Sequence, residues 1–491
     1  MLDSPVTRIA VRDVSALASW DACLARLRAL PGFWLLDSAL DDGRAGRWSF
    51  AGAEPLAVAR ADGDRIEIEP CLRAGEAAPL LARRAWRGDP FAALREIVPH
   101  AEASEDAASI PFVGGAVGWL GYELAAQIER VPVRSDGDLV LPDMAWLLVD
   151  RVLGYEHASG RLVATALGAG DDAERNVDRF VAQLVSGQVD LPNQPTPSND
   201  ATPGPEPLRL RDAVTGLELG AFFDVDSYAK AVTVIREEIA AGEVYQANLT
   251  HRLAATFGGD AWRLYDALRA LSPAPFAAFL TLPEITVVGA SPELFLHLDA
   301  AGHVETRPIK GTRVRGATPS EDDRLAAELL HSEKERAENA MIVDLMRNDL
   351  GRVCEVGSIE VPELFAIERH ATLFQMVSTV RGRLRGDRDR VDLLRAAFPP
   401  GSMTGAPKIA AIELLARLEP VRRGIYAGAL GRLDARGGAD LCVVIRSVLC
   451  RGRRAWLHVG GGIVMDSEPL AEWEETLAKA RAPLDALATT Q

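Results

Sequence analysis

Apolar and polar positions repeat with two different periods in the C-terminal half of the chain. The stretch DSYAKAVTVIREEIAAGEVYQANLT has helical spacing and then strand-like alternation, so it predicts a helix running into a strand. ITVVGASPELFLHLD predicts a strand, a turn and a second strand. Residues 320–350 predict one long amphipathic helix that ends at Gly351.

Near the C-terminus, ADLCVVIRSVLCRGRRAWLHVGGGIV predicts a β-hairpin ending in three glycines, followed by a terminal helix from about Pro469. The N-terminal region has short strand-like runs separated by Gly-rich turns such as FVGGAVGWLGYE. Because helices and close strand pairs are both plentiful, the pattern predicts a mixed α/β or α+β fold with antiparallel sheets.

A proline-rich segment, GQVDLPNQPTPSNDATPGPEPLRL, interrupts both kinds of pattern and is typical of a linker or long loop. The chain is therefore predicted to have an N-terminal region of residues 1–186, a linker or loop of residues 187–221, and a C-terminal region of residues 222–491. The motifs that carry chemistry lie in the C-terminal region.

Composition narrows the function classes. A net charge of −16 argues against a general nucleic-acid binder, although it leaves room for a small anionic substrate in a locally basic pocket. The five cysteines are an odd number without a CxxC pair, which favours reduced thiols. No apolar signal core and no uncharged run of about 18 apolar residues is present in the sequence, so we expect a soluble, cytoplasmic protein without a membrane contact.

The motif RPIKGTRVRG places Lys310 beside a glycine and close to Arg307, Arg313 and Arg315. Crowding by other cations favours the neutral, nucleophilic form of a lysine. A strand would send alternate side chains to opposite faces, so only geometry can decide whether these arginines act on Lys310.

Carboxylates at two places suggest a site for a hard cation. On a wheel of the terminal helix, Leu470, Trp473, Leu477, Ala480 and Leu484 share one side, and Glu472, Glu475 and Lys479 share the other. This is either a solvated face with a Glu475–Lys479 pair or a pair of carboxylates for Mg²⁺. Glu338 falls on the apolar stripe of its own helix, where it needs a partner: an arginine or the same metal.

Three further features suggest anion binding. In FPPGSMTGAPK, Ser402 or Thr404 either caps a helix that starts near Pro407 or leaves N–H groups for a carboxylate or phosphate. The glycines of VGGGIV let backbone approach a ligand closely. Arg446, in the strand-like run CVVIRSV, needs an anionic partner.

With these residues in view, the chain resembles the chorismate-utilising enzyme family. The resemblance is carried by SPELF, RPIKGTRVRG, AENAMIVDLMRNDLGRV, GSMTGAPK and GGGIVMDSEPLAEWEET, and it covers nearly all of residues 222–491. It implies an α+β fold in which antiparallel sheets are sandwiched between outer helices. It also implies a Mg²⁺ ion held by Glu338, Glu472 and Glu475. Substrate contacts would come from Arg446, Tyr426, Lys479, Ser402, Thr312, Gln246, Gly460, Gly461 and Gly462.

Within the family, two positions indicate the nucleophile. Gln246 stands where the water-using members have a lysine, so the resemblance implies ammonia as the nucleophile. PIKGT resembles aminodeoxychorismate synthases, whereas anthranilate synthases have PIAGT. The resemblance then makes Lys310 a covalent nucleophile and Glu293 the general acid that protonates the departing C4 hydroxyl. The implied product is 4-amino-4-deoxychorismate, on the way to para-aminobenzoate and folate.

Several expectations accompany this resemblance. Ammonia is expected from a separate glutamine amidotransferase subunit. WLLDSA and SPAPFAAFL resemble the family's tryptophan-binding region, although core packing also explains them. Gln375 replaces a histidine associated with pyruvate elimination in anthranilate synthases, which leaves its own role open. The alternatives are an anthranilate synthase component and a catalytically silent scaffold, and the complete set of acids argues against the scaffold.

Overall fold

The computed structural model describes residues 7–39, 46–73, 80–134, 137–186, 207–370 and 373–491. These residues form ten α-helices: α1 Trp20–Arg28, α2 Pro90–Ile97, α3 Asp172–Ser186, α4 Val225–Ala240, α5 Ala261–Leu271, α6 Pro319–His331, α7 Glu333–Gly351, α8 Arg390–Ala397, α9 Lys408–Leu418 and α10 Pro469–Thr489.

Twenty-five strands complete the described structure. Those of the N-terminal region are β1 Thr7–Asp13, β2 Trp34–Asp37, β3 Trp48–Gly52, β4 Ala57–Asp62, β5 Arg65–Pro70, β6 Arg84–Arg87, β7 Gly115–Leu120, β8 Met144–Val149, β9 Arg151–Glu156 and β10 Arg161–Ala169. The others are β11 Leu208–Arg211, β12 Glu218–Ala221, β13 Gln246–Thr256, β14 Phe276–Leu282, β15 Ile285–Ser291, β16 Leu294–Leu298, β17 His303–Arg307, β18 Ile309–Val314, β19 Glu360–Arg369, β20 Leu373–Arg383, β21 Gly405–Ala406, β22 Ala429–Asp434, β23 Ala439–Val443, β24 Ser447–Arg451 and β25 Arg454–Ile463.

The strands build two large antiparallel sheets. The first has the order β1-β10-β9-β3-β2-β14-β15-β24-β25-β13-β12-β11, with β21 paired to β13. The second has the order β18-β20-β17-β16-β23-β22-β7-β8-β4-β5-β6, with β19 paired to β20. Both sheets mix strands from the two halves of the chain, because β2 pairs with β14 and β7 pairs with β22.

Apolar side chains pack in layers on both sides of each sheet. One core lies between the sheets and contains Trp34 and Trp119. Outside the first sheet, α1, α3, α5 and α10 bury apolar residues against its strands. Outside the second sheet, α2, α7 and α8 do the same. The predicted α+β fold, with antiparallel sheets sandwiched between outer helices, is therefore confirmed.

The predicted linker falls into two parts. Residues 187–206 lie outside the described residues. The remainder is not a loop, because β11 and β12 form a hairpin that pairs with β13 at the edge of the first sheet.

Three local predictions were wrong. The long helix expected over residues 320–350 is two helices, because Ser332 caps α7 by accepting a hydrogen bond from the Glu335 N–H at 3.4 Å. FVGGAVGWLGYE contains the central strand β7, whose glycines lie inside a sheet and not in turns. The expected hairpin begins only at β24, because β23 belongs to the other sheet.

Other sequence expectations agree with the structure. The helix-to-strand prediction matches α4 and β13, and the terminal helix begins at Pro469. All five cysteines are free thiols. Within the described ranges, no helix combines the length and apolarity needed to cross a bilayer.

Candidate active site

The site forms where the chain crosses between the two sheets at two neighbouring places. β15 pairs with β24 in the first sheet, and β16 pairs with β23 in the second. The chain therefore crosses between the sheets at Pro292–Glu293 and again at Val444–Arg446. The Val443 N–H donates to the Glu293 carbonyl at 3.0 Å, so the two crossings are held side by side.

Glu293 is buried at the first crossing. Burial raises the pKa of its carboxyl to about 7, against the opposing effects of a hydrogen bond with Ser402, the charge of Lys310, the Ile309 N–H and the charge of Arg446. A carboxyl with this pKa carries a proton at neutral pH about half of the time, which suits a general acid.

Arg446 occupies the second crossing. Its φ of 49° lies in the left-handed region, so it ends the strand-like run in which the sequence placed it. Burial lowers the pKa of Arg446, and the nearby Glu293 opposes that effect. Tyr426 stacks on the His458 ring of β25, with 4.8 Å between ring centroids, and burial raises the pKa of the phenol. The phenol thus lies against the strand that leads to the three glycines, and the guanidinium lies near Glu293 at the crossing.

A β-bulge displays Lys310. The pairing of β18 with β20 shifts register between Ile309 and Thr312, so Lys310 and Gly311 lie in the irregular stretch. Gly311 has φ of 82°, and a Cβ there would lie 2.8 Å from Leu329 Cδ1. Only glycine combines this conformation with such close packing of α6, which explains the residue that follows the lysine.

The side chains of Lys310 and Gln246 both approach Gly462. A Cβ placed on Gly462 would lie 2.2 Å from Gln246 Nε2 and 3.4 Å from Lys310 Nζ. β24 pairs with β25 only as far as Val448 opposite Leu457, so the glycines extend beyond that partner strand. Gln246 is buried, and its Oε1 accepts no hydrogen bond from the described residues. An amine, an amide and a backbone segment without side chains converge here.

Each of the three arginines near Lys310 forms an ion pair with a carboxylate. Arg307 pairs with Glu368, Arg313 lies 3.4 Å from Glu335, and Arg315 lies 2.7 Å from Asp322. Each guanidinium is neutralised by a carboxylate of its own. These ion pairs reduce the effect that the three cations can have on the Lys310 amine. Lys310 interacts electrostatically with Glu293, Glu338 and Glu475 instead.

Glu338, Glu472 and Glu475 share one electrostatic environment. Burial raises the pKa of Glu338 and of Glu472, and the charge of Glu475 raises both further. Burial also opposes ionisation of Glu475, but Lys479 at 2.7 Å, together with Lys334 and Lys310, lowers that pKa. Glu338 has Lys334 at 4.0 Å and no closer salt bridge among the described residues.

The terminal helix does not present the faces that the wheel predicted. Glu472 is 4% exposed, whereas Leu470 is 61% exposed. Glu472 therefore faces the sheet and not solvent, which excludes the solvated-face interpretation for this residue. Lys479, expected to bind substrate, donates to the Gly460 carbonyl at 3.0 Å as well as to Glu475.

The loop GSMTGAP approaches the site through Ser402, whose hydroxyl is hydrogen-bonded with Glu293. The expected capping role is wrong. The N-cap of α9 is Pro407, without a side-chain hydrogen bond, and the Thr404 hydroxyl donates to the Gly401 carbonyl at 3.1 Å. Thr312 is exposed on β18, opposite the buried Gln375 of β20.

Comparison with known proteins decides the family. The model of the chorismate binding enzyme family matches residues 39–485. The chain belongs to this family.

Two relatives and one solved structure show the range of the family around this chain. An aminodeoxychorismate synthase of Streptomyces griseus is 41% identical over 92% of the chain, which spans 60% of that relative's length. Anthranilate synthase component 1 of Mycobacterium tuberculosis is 37% identical over 99% of the chain and 93% of the relative. The crystal structure of anthranilate synthase component I from Streptococcus pneumoniae superposes with a TM-score of 0.73 at 27% identity, covering 89% of this chain and 92% of that one.

Sequence reasoning about this chorismate binding enzyme missed the residues that support the site from behind. Buried Arg423 donates to the carbonyls of Met403 and Asn248, both at 2.7 Å, and so ties the Ser402 loop to β13. Lys408 donates to Asp349 at 2.7 Å and to two carbonyls at the start of that loop. In the sequence, Lys408 and Arg423 are indicated only as charged residues in otherwise apolar surroundings.

Proposed function

We propose that this chain is the chorismate-converting component of an aminodeoxychorismate synthase, which joins chorismate and ammonia into 4-amino-4-deoxychorismate. The observation that carries the proposal is the position of Lys310 Nζ, 3.4 Å from the Cβ position of Gly462 and next to the Gln246 amide. An amine in this place can reach a ligand that lies on the glycine segment.

The chemistry is assigned to the residues as follows. Glu293 gives its proton to the departing C4 hydroxyl, which leaves as water, while the Lys310 amine forms a bond to C2. Ammonia then attacks C4, both ring double bonds shift back, the C2–N bond to Lys310 breaks, and a proton of the incoming ammonia returns to Glu293. Two allylic displacements thus return the substituent to C4 and regenerate the lysine. The amide of Gln246 cannot activate water as a lysine can, which favours ammonia.

Substrate carboxylates are assigned to Arg446 and to the backbone of Gly460, Gly461 and Gly462, with Tyr426 and Ser402 beside them. Arg446 is suited to this because no carboxylate of the described residues lies within 4.0 Å of its half-buried guanidinium. Thr312 and Lys479 lie further toward solvent and complete the proposed set.

A Mg²⁺ ion fits the acidic residues, with Glu338, Glu472 and Glu475 as its ligands. In the described part of the chain, no three carboxylate, imidazole or thiol groups lie close enough to hold an ion by themselves. Mg²⁺ nevertheless uses few protein carboxylates and keeps oxygen ligands from water and substrate. Half-buried Glu338 and buried Glu472 have raised pKa values, as expected for carboxylates that need a cation. A bound Mg²⁺ would neutralise substrate carboxylates.

Two further binding partners are part of the proposal. Ammonia is assigned to a glutamine amidotransferase subunit, which is supported by the similarity to relatives named as component 1 of their synthases. A tryptophan is assigned to a cavity of about 590 Å³ between the sheets, lined in part by Leu36, Asp37 and Ser38 and by Pro275–Ala278. This volume suits a small ligand, which supports binding over simple core packing.

The decisive assay is incubation with chorismate, Mg²⁺ and an ammonium salt, followed by identification of the product. We expect a 4-amino product without anthranilate, and loss of turnover when Mg²⁺ is chelated. Anthranilate as the main product would instead identify an anthranilate synthase component. Recovery of unchanged chorismate from folded protein with Mg²⁺ present would support a silent scaffold.

Substitution of Gly462 by alanine tests the glycine segment. The new Cβ would overlap Gln246 Nε2, so we expect kcat/KM to fall by about 100-fold, as for a 1 Å misplacement of reacting groups. Steady-state kinetics with chorismate measure this. Gly386→Ala is the matched control, because a Cβ there has no heavy atom within 4 Å. Equal activity of the two variants would show that ligands do not use this segment.

A further inference from the structure

Ser467 connects the glycine segment to the acidic helix. It lies between β25 and α10 and is 1% exposed. Its hydroxyl donates to Glu472 Oε1 at 2.6 Å and accepts the Val464 N–H at 3.0 Å. The Ser467 N–H donates back to the Val464 carbonyl at 3.1 Å, so a tight turn fixes the serine before it contacts the carboxylate.

Because of this contact, the two carboxylate oxygens of Glu472 have different neighbours. Oε1 is occupied by the serine hydroxyl. Oε2 lies over the glycine segment, 3.0 Å from the Cβ position of Gly461. The Tyr228 hydroxyl lies 3.7 Å from the same position, is fully buried and has no hydrogen-bond partner within the described chain. The serine therefore fixes one carboxylate oxygen, and the other, Oε2, has no hydrogen-bond partner among the described residues.

The serine does not serve to cap the helix. The N-cap of α10 is Glu468, which makes no side-chain capping bond, and the Glu472 N–H is satisfied by the Glu468 carbonyl at 2.9 Å. A hydroxyl that donates to a buried carboxylate away from the cap is typical of the groups that orient metal ligands.

We propose that Ser467 is a positioning residue that holds Oε1 of Glu472 and so leaves Oε2 available to bind the divalent cation of the site. The inference rests on the Mg²⁺ site of the proposed function. It adds that the geometry of this ligand is set by the turn after the three glycines and not by α10 alone. A strand that carries the substrate segment and a helix that carries the metal ligand are thereby held in register.

The test is cation binding by the Ser467→Ala variant, measured without substrate. Mn²⁺ prefers the same oxygen ligands as Mg²⁺, and loss of its free electron paramagnetic resonance signal reports binding directly. We expect the dissociation constant to rise at least about 10-fold, the lower end for loss of a group that orients a ligand. Ser467→Thr keeps the hydroxyl and is expected to restore affinity toward the original value.

Ser159→Ala is the matched control, because the Ser159 hydroxyl donates to Glu156 Oε2 at the same 2.6 Å in a turn away from the site. Its affinity for Mn²⁺ should not change. Unaltered Mn²⁺ affinity in folded Ser467→Ala protein would overturn the inference. So would weakening of equal size in both alanine variants. The product assay tests the proposed function separately. If the protein formed anthranilate while Ser467→Ala still weakened Mn²⁺ binding, the proposed function would be overturned and the role of Ser467 would stand.

Discussion

Lys310→Ala is expected to lower the formation of 4-amino-4-deoxychorismate by at least about 100-fold, since it removes the group that forms the bond to C2. Without that amine, ammonia can attack C2 directly, so the remaining turnover should shift toward the anthranilate precursor. Chromatographic identification of products from chorismate and ammonium salt measures both changes.

Two variants separate nucleophilicity from charge. Lys310→Arg keeps a cation near Glu338 and Glu475 but offers no nucleophilic amine, so it should be as inactive as the alanine variant. Lys230→Ala, at an exposed position on α4, should behave like the unmodified protein. Full 4-amino product from Lys310→Ala would exclude the covalent role.

Glu293 is expected to give the reaction a descending limb near pH 7. Burial raises its pKa to about 7, and the proton-donating form is lost above that pH. With the concentration of neutral ammonia held constant, kcat/KM for chorismate should fall about tenfold per pH unit above the limb. Glu293→Gln should lower the rate by about 10² to 10⁴-fold and remove the limb.

The hydrogen bond from Ser402 offers a finer control. It favours the ionised form of Glu293, so Ser402→Ala should move the limb to higher pH while keeping its slope. The same raised pKa makes the Glu293 contribution to folding stability complete below the unfolded pKa and lost as pH rises through about 7. A pH profile that Glu293→Gln leaves unchanged would assign the proton to another group.

Much of the site followed from the sequence because local motifs carry it. Lys310, Glu293 and Gln246 each lie in a contiguous sequence motif. The glycine after Lys310 indicates a backbone conformation that other residues rarely adopt. Supporting residues such as Arg423 and Ser467 were not found. Their partners lie on other elements, and a buried charge or hydroxyl has no periodic signature.

By itself, the sequence determined the α+β class, the antiparallel pairing, the start of the terminal helix and the family resemblance, because these depend on local periodicity and contiguous motifs. The tertiary structure decided the rest. It placed β15 and β16 in different sheets, so Glu293 lies at a crossing and is buried there. It gave each arginine near Lys310 its own carboxylate and turned Glu472 inward. Burial and charge pairing arise between segments far apart in the chain, where no local pattern can record them.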